Sequence, residues 1–485
     1  MNISGNKRRL VLDIVRILFG EPAEKFSSAL ISYGPCPLGF IQFRTQMSLI
    51  DLKTIALAMY AHGIINIKGE GSRALLSLST FPLFVLSAPS LLLDEIRIIY
   101  NRQDFVDVLD VYIREGVVAI GTGSQFLPPA IEAAEDVFRG CTDELFKLGF
   151  LARGIMQYNS FSSADVRSLE RRISNLQLIK KRGANNPKNH ISSQSMPVLS
   201  NPEVDGDTYC IDWNRIAQFL RSRYVVSYVG KTIGKDFIPL VEQIVISSKC
   251  GNYSHLCRMS DHADDQLRGE QCSLTHFSTQ EVSRVFNTLP AAVFLERIDA
   301  LSSPWLGFLN IGSDGSSYEV RVPNVIRLLQ HMYIDSFAES NFTAMHRRVF
   351  SALQSLQVAD TRQLEESALV SDKDARCAMY DLCRLGMVSL QAIPKTSEKN
   401  IAQSFFVWRY DEESAINAYA NIVADNARRI LSKIEEYTIM AESLQNVDAN
   451  DATATLTKDK CAKYLSGFHG YFLEIMKVYV LFSEM

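Results

Sequence analysis

Six sulfur and imidazole side chains, Cys250, His255, Cys257, His262, Cys272 and His276, fall in one short stretch. Thiolate and neutral imidazole are the ligands that zinc prefers, so a metal could be held there. Structural zinc sites close on ligands paired a few residues apart, whereas Cys250, Cys257 and Cys272 are separated by seven and fifteen residues. Such spacing leaves loops without knuckle geometry, and no metal is expected. Other chemistry would need a nucleophile with its base, paired carboxylates or a phosphate cradle. The chain has no GxxxxGKS/T, no GxGxxG after a strand, no HExxH and no GxSxG, and Gly121-Thr122-Gly123 is too short to cradle phosphate. A non-catalytic chain without a cofactor is expected.

The remaining candidate chemistry is the binding of phosphate. At a formal net charge of -4 the chain is no globally basic nucleic-acid binder, so contact with DNA must come from local clusters. One stands out between Asn159 and Asp207, where periodicity vanishes and Ser, Asn, Pro and charged residues dominate. Arg167, Arg171, Arg172, Lys180, Lys181, Arg182 and Lys188 face a single acid, Glu170. The segment could neutralise phosphates, act as an import signal, or be a solvated surface; Arg171, Arg172, Lys180, Lys181, Arg182 and Lys188 are the candidate nucleic-acid contacts.

These residues must be positioned by several modules, because 485 residues exceed one core. A unit recurs: a capped helix, an abrupt stop, then two apolar stretches around a polar turn, which reads as a winged helix. In the first copy Ser48 and Asp51 form a capping box, Leu52, Ile55, Ala56 and Met59 make one helical face, and His62-Gly63 stops it. Ile64 to Ile67 and Ala74 to Ser79 then read as a hairpin around Gly69-Glu70-Gly71. The fourth copy repeats this: Asp360 caps a short helix, Ser371 and Asp374 form a second box, Leu385-Gly386 stops the helix, and Met387 to Ile393 pairs with Ser404 to Tyr410. The third copy uses Ser278 and Glu281 as a box, Pro290 as a break, and a hairpin from Leu306 to Val322. The second is faintest: a long helix from Asp94 to Arg114, another from Thr142 to Leu148, and a strand limited to Phe150 to Ala152. Cys377 and Cys383, on the fourth-copy helix, read as small buried side chains.

After Tyr410 the stepping changes to heptads. Ile416, Ala420, Val423, Ala427, Ile430, Ile434 and Tyr437 form one seam, and Cys461, Leu465, Phe468, Phe472, Ile475, Tyr479 and Phe482 form another after a polar break. Two such helices fold back as an antiparallel pair. Core packing explains the stripe, and a partner surface at Phe468, Phe472, Tyr479 and Phe482 explains it equally.

The expected architecture is mainly α with small β-hairpins: tandem winged-helix domains followed by a C-terminal antiparallel coiled-coil hairpin. Its bounds are winged helices at 1–80, 81–158, 208–323 and 324–411, a polar basic linker at 159–207, and the hairpin at 412–485. The first residues, MNISGNKRRL, lack a signal-type apolar run, and the window Phe81 to Leu93 is broken by Pro82 and Pro89 and too short to span a bilayer. Nine cysteines without a CxxC suit a reducing compartment, cytosol or nucleus.

Three islands carry a family resemblance: Phe19-Gly20-Glu21 with Glu24-Lys25, Gly312 to Val322, and Tyr380-Asp381-Leu382 through Met387-Val388-Ser389-Leu390-Gln391 with Ile393-Pro394-Lys395-Thr396. The chain resembles the RNA polymerase III subunit built of repeated winged helices, a relative of the transcription factor IIE alpha subunit. The resemblance implies a nuclear, non-catalytic subunit that joins two smaller subunits into a heterotrimer on the clamp of the largest subunit, recruits the promoter-bound initiation factor and helps open DNA. A proteasome-lid-type scaffold would instead have helices throughout and a single wing near its C-terminus. A sequence-specific regulator would want a strongly basic recognition helix. Ser48 to His62 carries only Lys53, and Ser371 to Leu385 mixes three cations with three aspartates, so most of these modules are expected to bind protein.

Overall fold

Ser48 accepts a hydrogen bond from the backbone N–H of Asp51 at 3.1 Å, and this cap starts a helix that ends at Ala61. The cap satisfies one of the donors every helix start leaves open. The computed structural model describes residues 5–68, 74–127, 134–153, 208–247, 275–278, 290–312, 317–394, 404–443 and 452–482. It divides into a first unit that holds Arg8–Leu220 and a second that holds Gly5–Lys7 and Arg221–Met485. Most described residues are helical, and the strands form small antiparallel sheets.

The first helix, α1 (Gly5–Phe19), lies in the first unit from Arg8 onward and buries Leu10, Val11, Ile14 and Val15 on one face. There follow α2 (Glu21–Tyr33), β1 (Cys36–Pro37), α3 (Leu38–Thr45), α4 (Leu49–Ala61), β2 (Ile65–Lys68) and β3 (Leu75–Leu78). The hairpin is present as expected, with Ile65 opposite Leu78 and Lys68 opposite Leu75. A third strand, unforeseen, is β1, which pairs Cys36 with Leu76.

Next come α5 (Phe81–Ser87), α6 (Ser90–Tyr100), α7 (Gln103–Glu115), β4 (Val117–Ala119), α8 (Ile120–Gly123), α9 (Ala134–Lys147), β5 (Leu151–Arg153) and β6 (Thr208–Ile211). The single long helix expected from Asp94 to Arg114 is two. Asn101 closes α6 in the left-handed region at φ 48°, and Arg102 then bonds Asp104 and, at 2.6 Å, Glu144 of α9. That guanidinium holds the Asp104 carboxyl below its ordinary range. The expected domain edge at 207/208 also moves: β6 lies between β4 and β5 in one sheet, pairing Cys210 with both Val117 and Ala152. Thus 208–211 belongs with the second module, and the chain leaves this sheet at Arg153 and re-enters it at Thr208. A short strand such as Phe150 to Ala152 reads as isolated when its partner lies so far along the chain.

His62 and Gly63 do more than stop α4. Gly63 has φ +68°, open to glycine and strained for other residues. The Trp213 indole N–H donates to the His62 carbonyl at 2.8 Å, and the His62 ring meets Phe19 edge-on at 5.6 Å. Among the described residues the buried imidazole Nδ1 has no hydrogen-bond partner. Burial lowers the His62 pKa to about 4. The unfolded chain takes up the proton near the ordinary value of about 6.5, so between pH 6.5 and 4 it binds more protons than the folded state. Stability from this site is therefore complete above pH 6.5 and declines as the pH falls toward 4. Urea titrations at pH 7 and pH 4.5 should show a smaller loss for His62→Asn than for the parent chain; equal losses would refute the assignment.

The helix α10 (Trp213–Thr232) starts in the first unit and ends in the second. In the second unit Arg223 is ion-paired to Glu242 at 2.5 Å, tying α10 to α11 (Ile238–Ser247). A third sheet is built from β7 (Thr275–Ser278), β8 (Leu309–Ile311) and β9 (Ser317–Val320), with α12 (Ala291–Leu301) after Pro290. Ser278, expected to cap a helix, stands in β7 opposite Ser317.

The remaining elements are α13 (Val322–Asn341), α14 (Ala344–Leu356), β10 (Val358–Ala359), α15 (Thr361–Ala368), α16 (Asp372–Arg384), β11 (Val388–Pro394), β12 (Ser404–Tyr410), α17 (Glu412–Ser443) and α18 (Ala452–Phe482). Asp360 and Gln363 form a reciprocal capping box on α15, and Ser371 caps α16 through Asp374. Both α16 boundaries agree with the sequence reading. The two last helices pack together with rings that fix their direction: Tyr419 meets Phe482 at 4.8 Å, while Tyr437 meets Phe468 at 5.4 Å and Tyr464 at 5.7 Å. Partner numbers fall as residue numbers rise, so the pair is antiparallel. Among the described residues no helix is long and apolar enough to cross a membrane.

Candidate protein-contact surface

The fourth sheet, ordered β10-β12-β11, carries the most exposed apolar structure of its module. Its register places Val388 opposite Tyr410, Leu390 opposite Trp408 and Ala392 opposite Phe406, so these share one face. Near the helices that face is core: Val388, Trp408 and Tyr410 are 4%, 2% and 4% exposed. Trp408 meets Tyr380 edge-on at 5.2 Å, and Tyr410 meets Phe350 of α14 at 5.7 Å. Toward the far end of the strands the same face loses its cover, with Phe406 49% exposed. On the other face Ile393 stands opposite Phe405, and the two are 43% and 59% exposed. The hairpin therefore projects past its helices with apolar side chains on both faces. β11 is moreover an edge strand with six of its seven residues exposed. Uncovered apolar surface of this kind marks a contact with another molecule.

The helix beside it offers little to phosphate. On α16 Arg376 pairs with Asp372 at 2.8 Å, Asp374 accepts from the Ser371 hydroxyl at 2.7 Å, and Asp381 lies 3.3 Å from the His346 ring. Three carboxylates balance Lys373, Arg376 and Arg384, so the helix has no net positive charge to draw phosphate. His346 is itself buried between Thr343 and Asp381, so this polar bridge joins α14 to α16. The buried stripe of α16 is Ala375, Ala378, Met379 and Leu382. Cys377, expected inside, is exposed, because at about 100° per residue it falls on the far side of the helix from that stripe.

Residues 334–410 match the family model for POLR3C, C-terminal winged-helix domain. A protein of Debaryomyces hansenii named DNA-directed RNA polymerase III subunit RPC3 is 24% identical over 211 residues, covering 41% of this chain and 35% of that protein. The chain resembles RPC3. Proteins of the same name from Scheffersomyces stipitis and Dictyostelium discoideum are 22% identical over 180 residues and 21% over 150, covering 36% and 30% of this chain. The matches to RPC3 span 35%, 30% and 22% of the lengths of those three relatives. The winged helix that matches the RPC3-type domain is the one whose hairpin exposes Ile393, Phe405 and Phe406.

The other residues singled out in the sequence fare differently. Arg171, Arg172, Lys180, Lys181, Arg182 and Lys188 lie outside the described residues. So do Cys250, His255, Cys257, His262 and Cys272, while His276 is in β7 opposite Glu319. Among the described residues no group of three or more His, Cys, Asp or Glu could hold a metal ion. Of the aromatic seam offered for a partner, Phe472, Tyr479 and Phe482 are buried within this chain, and Phe468 is half-buried against Tyr437. Phe482 is covered by Tyr419 of α17 and by Tyr333 of α13, a third helix packed against this seam. The aromatics that α18 does expose, Tyr464 and Tyr471, were not singled out. Their signal was available: both step off the heptad seam.

Proposed function

We propose that this chain is a non-catalytic, nuclear subunit of DNA-directed RNA polymerase III acting in transcription initiation. In this reading it is a row of winged helices closed by a C-terminal coiled-coil hairpin, and it works by holding proteins together. Its partners are the two smaller subunits of a heterotrimer, the clamp of the largest subunit and the promoter-bound initiation factor. The observation that carries the proposal is the coincidence at residues 334–410 of a family match with an uncovered apolar wing. The fourfold recurrence of a three-stranded sheet beside short helices supports tandem winged helices. The antiparallel packing of α17 and α18 supports the hairpin. A lid-type scaffold expects helices alone before a single C-terminal wing, and strands between Cys36 and Leu78 are at odds with it. Affinity purification of the tagged chain should recover RNA polymerase III subunits; recovery of proteasome-lid subunits would replace the reading.

DNA enters through the basic segment, non-specifically and by charge. Reversing Lys180, Lys181 and Arg182 to Glu should weaken binding to duplex DNA at low salt about tenfold and flatten the salt dependence. Binding unchanged in a mobility-shift titration would remove the segment from the mechanism.

A further inference from the structure

The first unit exposes a second apolar patch, remote in sequence from the wing and different in chemistry. On α3, Phe40, Phe43 and Arg44 lie at i, i+3 and i+4 and so share one stripe, while Ile41, off that stripe, is buried. Tyr33, from the end of α2, meets Phe40 edge-on at 5.3 Å. The Arg44 guanidinium lies over both rings, 4.8 Å from the Tyr33 centroid and 5.5 Å from that of Phe40. Phe43 is 75% exposed, and Leu49 and Ile50 at the start of α4 are 41% and 53% exposed. Among the described residues Arg44 has no carboxylate partner. Among the described residues Arg8, whose guanidinium reaches Ser32 beside Tyr33 at 2.6 Å, bonds the hydroxyls of Ser28 and Ser32. The acids of α2, Glu21 and Glu24, stand in its first turn, at the far end from Tyr33. Asp51 is engaged with the Ser48 hydroxyl at 2.6 Å.

From this patch we infer that the α2–α3 surface docks a partner protein segment in which an apolar side chain is flanked by a carboxylate. The apolar group seats against Phe43, Leu49 and Ile50, and the carboxylate meets Arg44. Stacking fixes the guanidinium plane before the partner arrives, so little side-chain freedom is lost when its fork receives a carboxylate. Exposed aromatics around one arginine are the composition of interface hot spots. Single-stranded nucleic acid, the other polymer that uses aromatics and arginine, suits the patch less well. Leu49 and Ile50 offer no plane for a base, and the faces of Tyr33 and Phe40 are already engaged with Arg44.

The inference rests on the scaffold role proposed above, and one preparation tests both separately. Phe43 is replaced by the photo-cross-linking residue p-benzoylphenylalanine in the tagged full-length chain, which is irradiated in cells and purified. The expected product joins position 43 to a protein segment with Asp or Glu within three residues of the cross-linked site. Arg44→Glu should cut its yield at least fivefold, with Arg44→Lys retaining more. A product with nucleic acid, a segment without acids, or no product despite recovery of polymerase subunits overturns the docking site. Absence of polymerase subunits, with a cross-linked acidic segment present, overturns the scaffold reading instead. An unfolding midpoint for Arg44→Glu equal to that of the parent chain is expected, and a fall in it would show that Arg44 serves the fold.

Discussion

Replacing Gly63 with alanine should cost the first unit about 3 kcal/mol. Two effects add. At φ +68° a side chain strains the backbone by roughly 1 kcal/mol. A Cβ there would also lie 2.4 Å from Cδ1 and Nε1 of Trp213, closer than atoms can approach, which adds an overpacking cost of about 1–3 kcal/mol. The indole cannot swing aside freely, since its N–H holds the His62 carbonyl at 2.8 Å. The neighbouring Gly116, at φ +81°, is as tight: its Cβ would meet the Ala61 carbonyl oxygen at 2.5 Å. Urea unfolding of the full chain, read in its first transition by fluorescence, measures the cost. In a double-mutant cycle with Trp213→Ala the loss in the double variant should fall short of the sum of the two single losses by about 1 kcal/mol or more, since the indole is what the new methyl strikes. Strict additivity would show that the backbone strain acts alone.

That site illustrates what a sequence can and cannot disclose. His62-Gly63 was legible as a helix stop, because glycine after an apolar periodic run has a local cause. Its second role was not legible, because Trp213 lies far along the chain and nothing near Gly63 announces an indole. The same divide runs through the molecule. Ser48, Asp360 and Ser371 cap the helices their spacing promised, and the hairpins around residues 65–78 and 388–410 pair as alternation suggested. What failed was non-local. Strands β1 and β10 are only two residues long and carry no pattern of their own, so Cys36 and Val358 become strands solely through β3 and β12. The bend at Asn101 was hidden because the helices on both sides keep an apolar face, and a left-handed asparagine costs little enough to sit unnoticed between them.

The aromatic seam of α18 shows a further limit. Heptad stepping tells which side of a helix is buried but not by what. Phe472, Tyr479 and Phe482 signal more apolar surface than one partner helix covers, and that surplus is met within the chain by α13, where Gln330 donates to the Leu481 carbonyl at 2.7 Å. The exposed wing aromatics were legible for the opposite reason. In β12, apolar residues on both sides of the strand cannot all face one core.

The largest functional effect should come from that wing. Changing Ile393 and Phe405 together to aspartate puts two charges on the outer face of the hairpin, where each native side chain is more than two-fifths exposed. Folding should tolerate this, because the core of the module lies on the other face at Val388, Trp408 and Tyr410. Docking should not: burying a carboxylate against an apolar partner costs several kcal/mol, so recovery of polymerase III subunits with the tagged chain should fall at least tenfold. Trp408→Ala serves as the contrasting change. It removes a buried ring packed on Tyr380 and should lower the unfolding midpoint, costing about 3–5 kcal/mol. If the double aspartate variant unfolds at the parent midpoint yet still recovers the polymerase in full, the wing is not where this chain is held. The exposed apolar hairpin would then need another occupant.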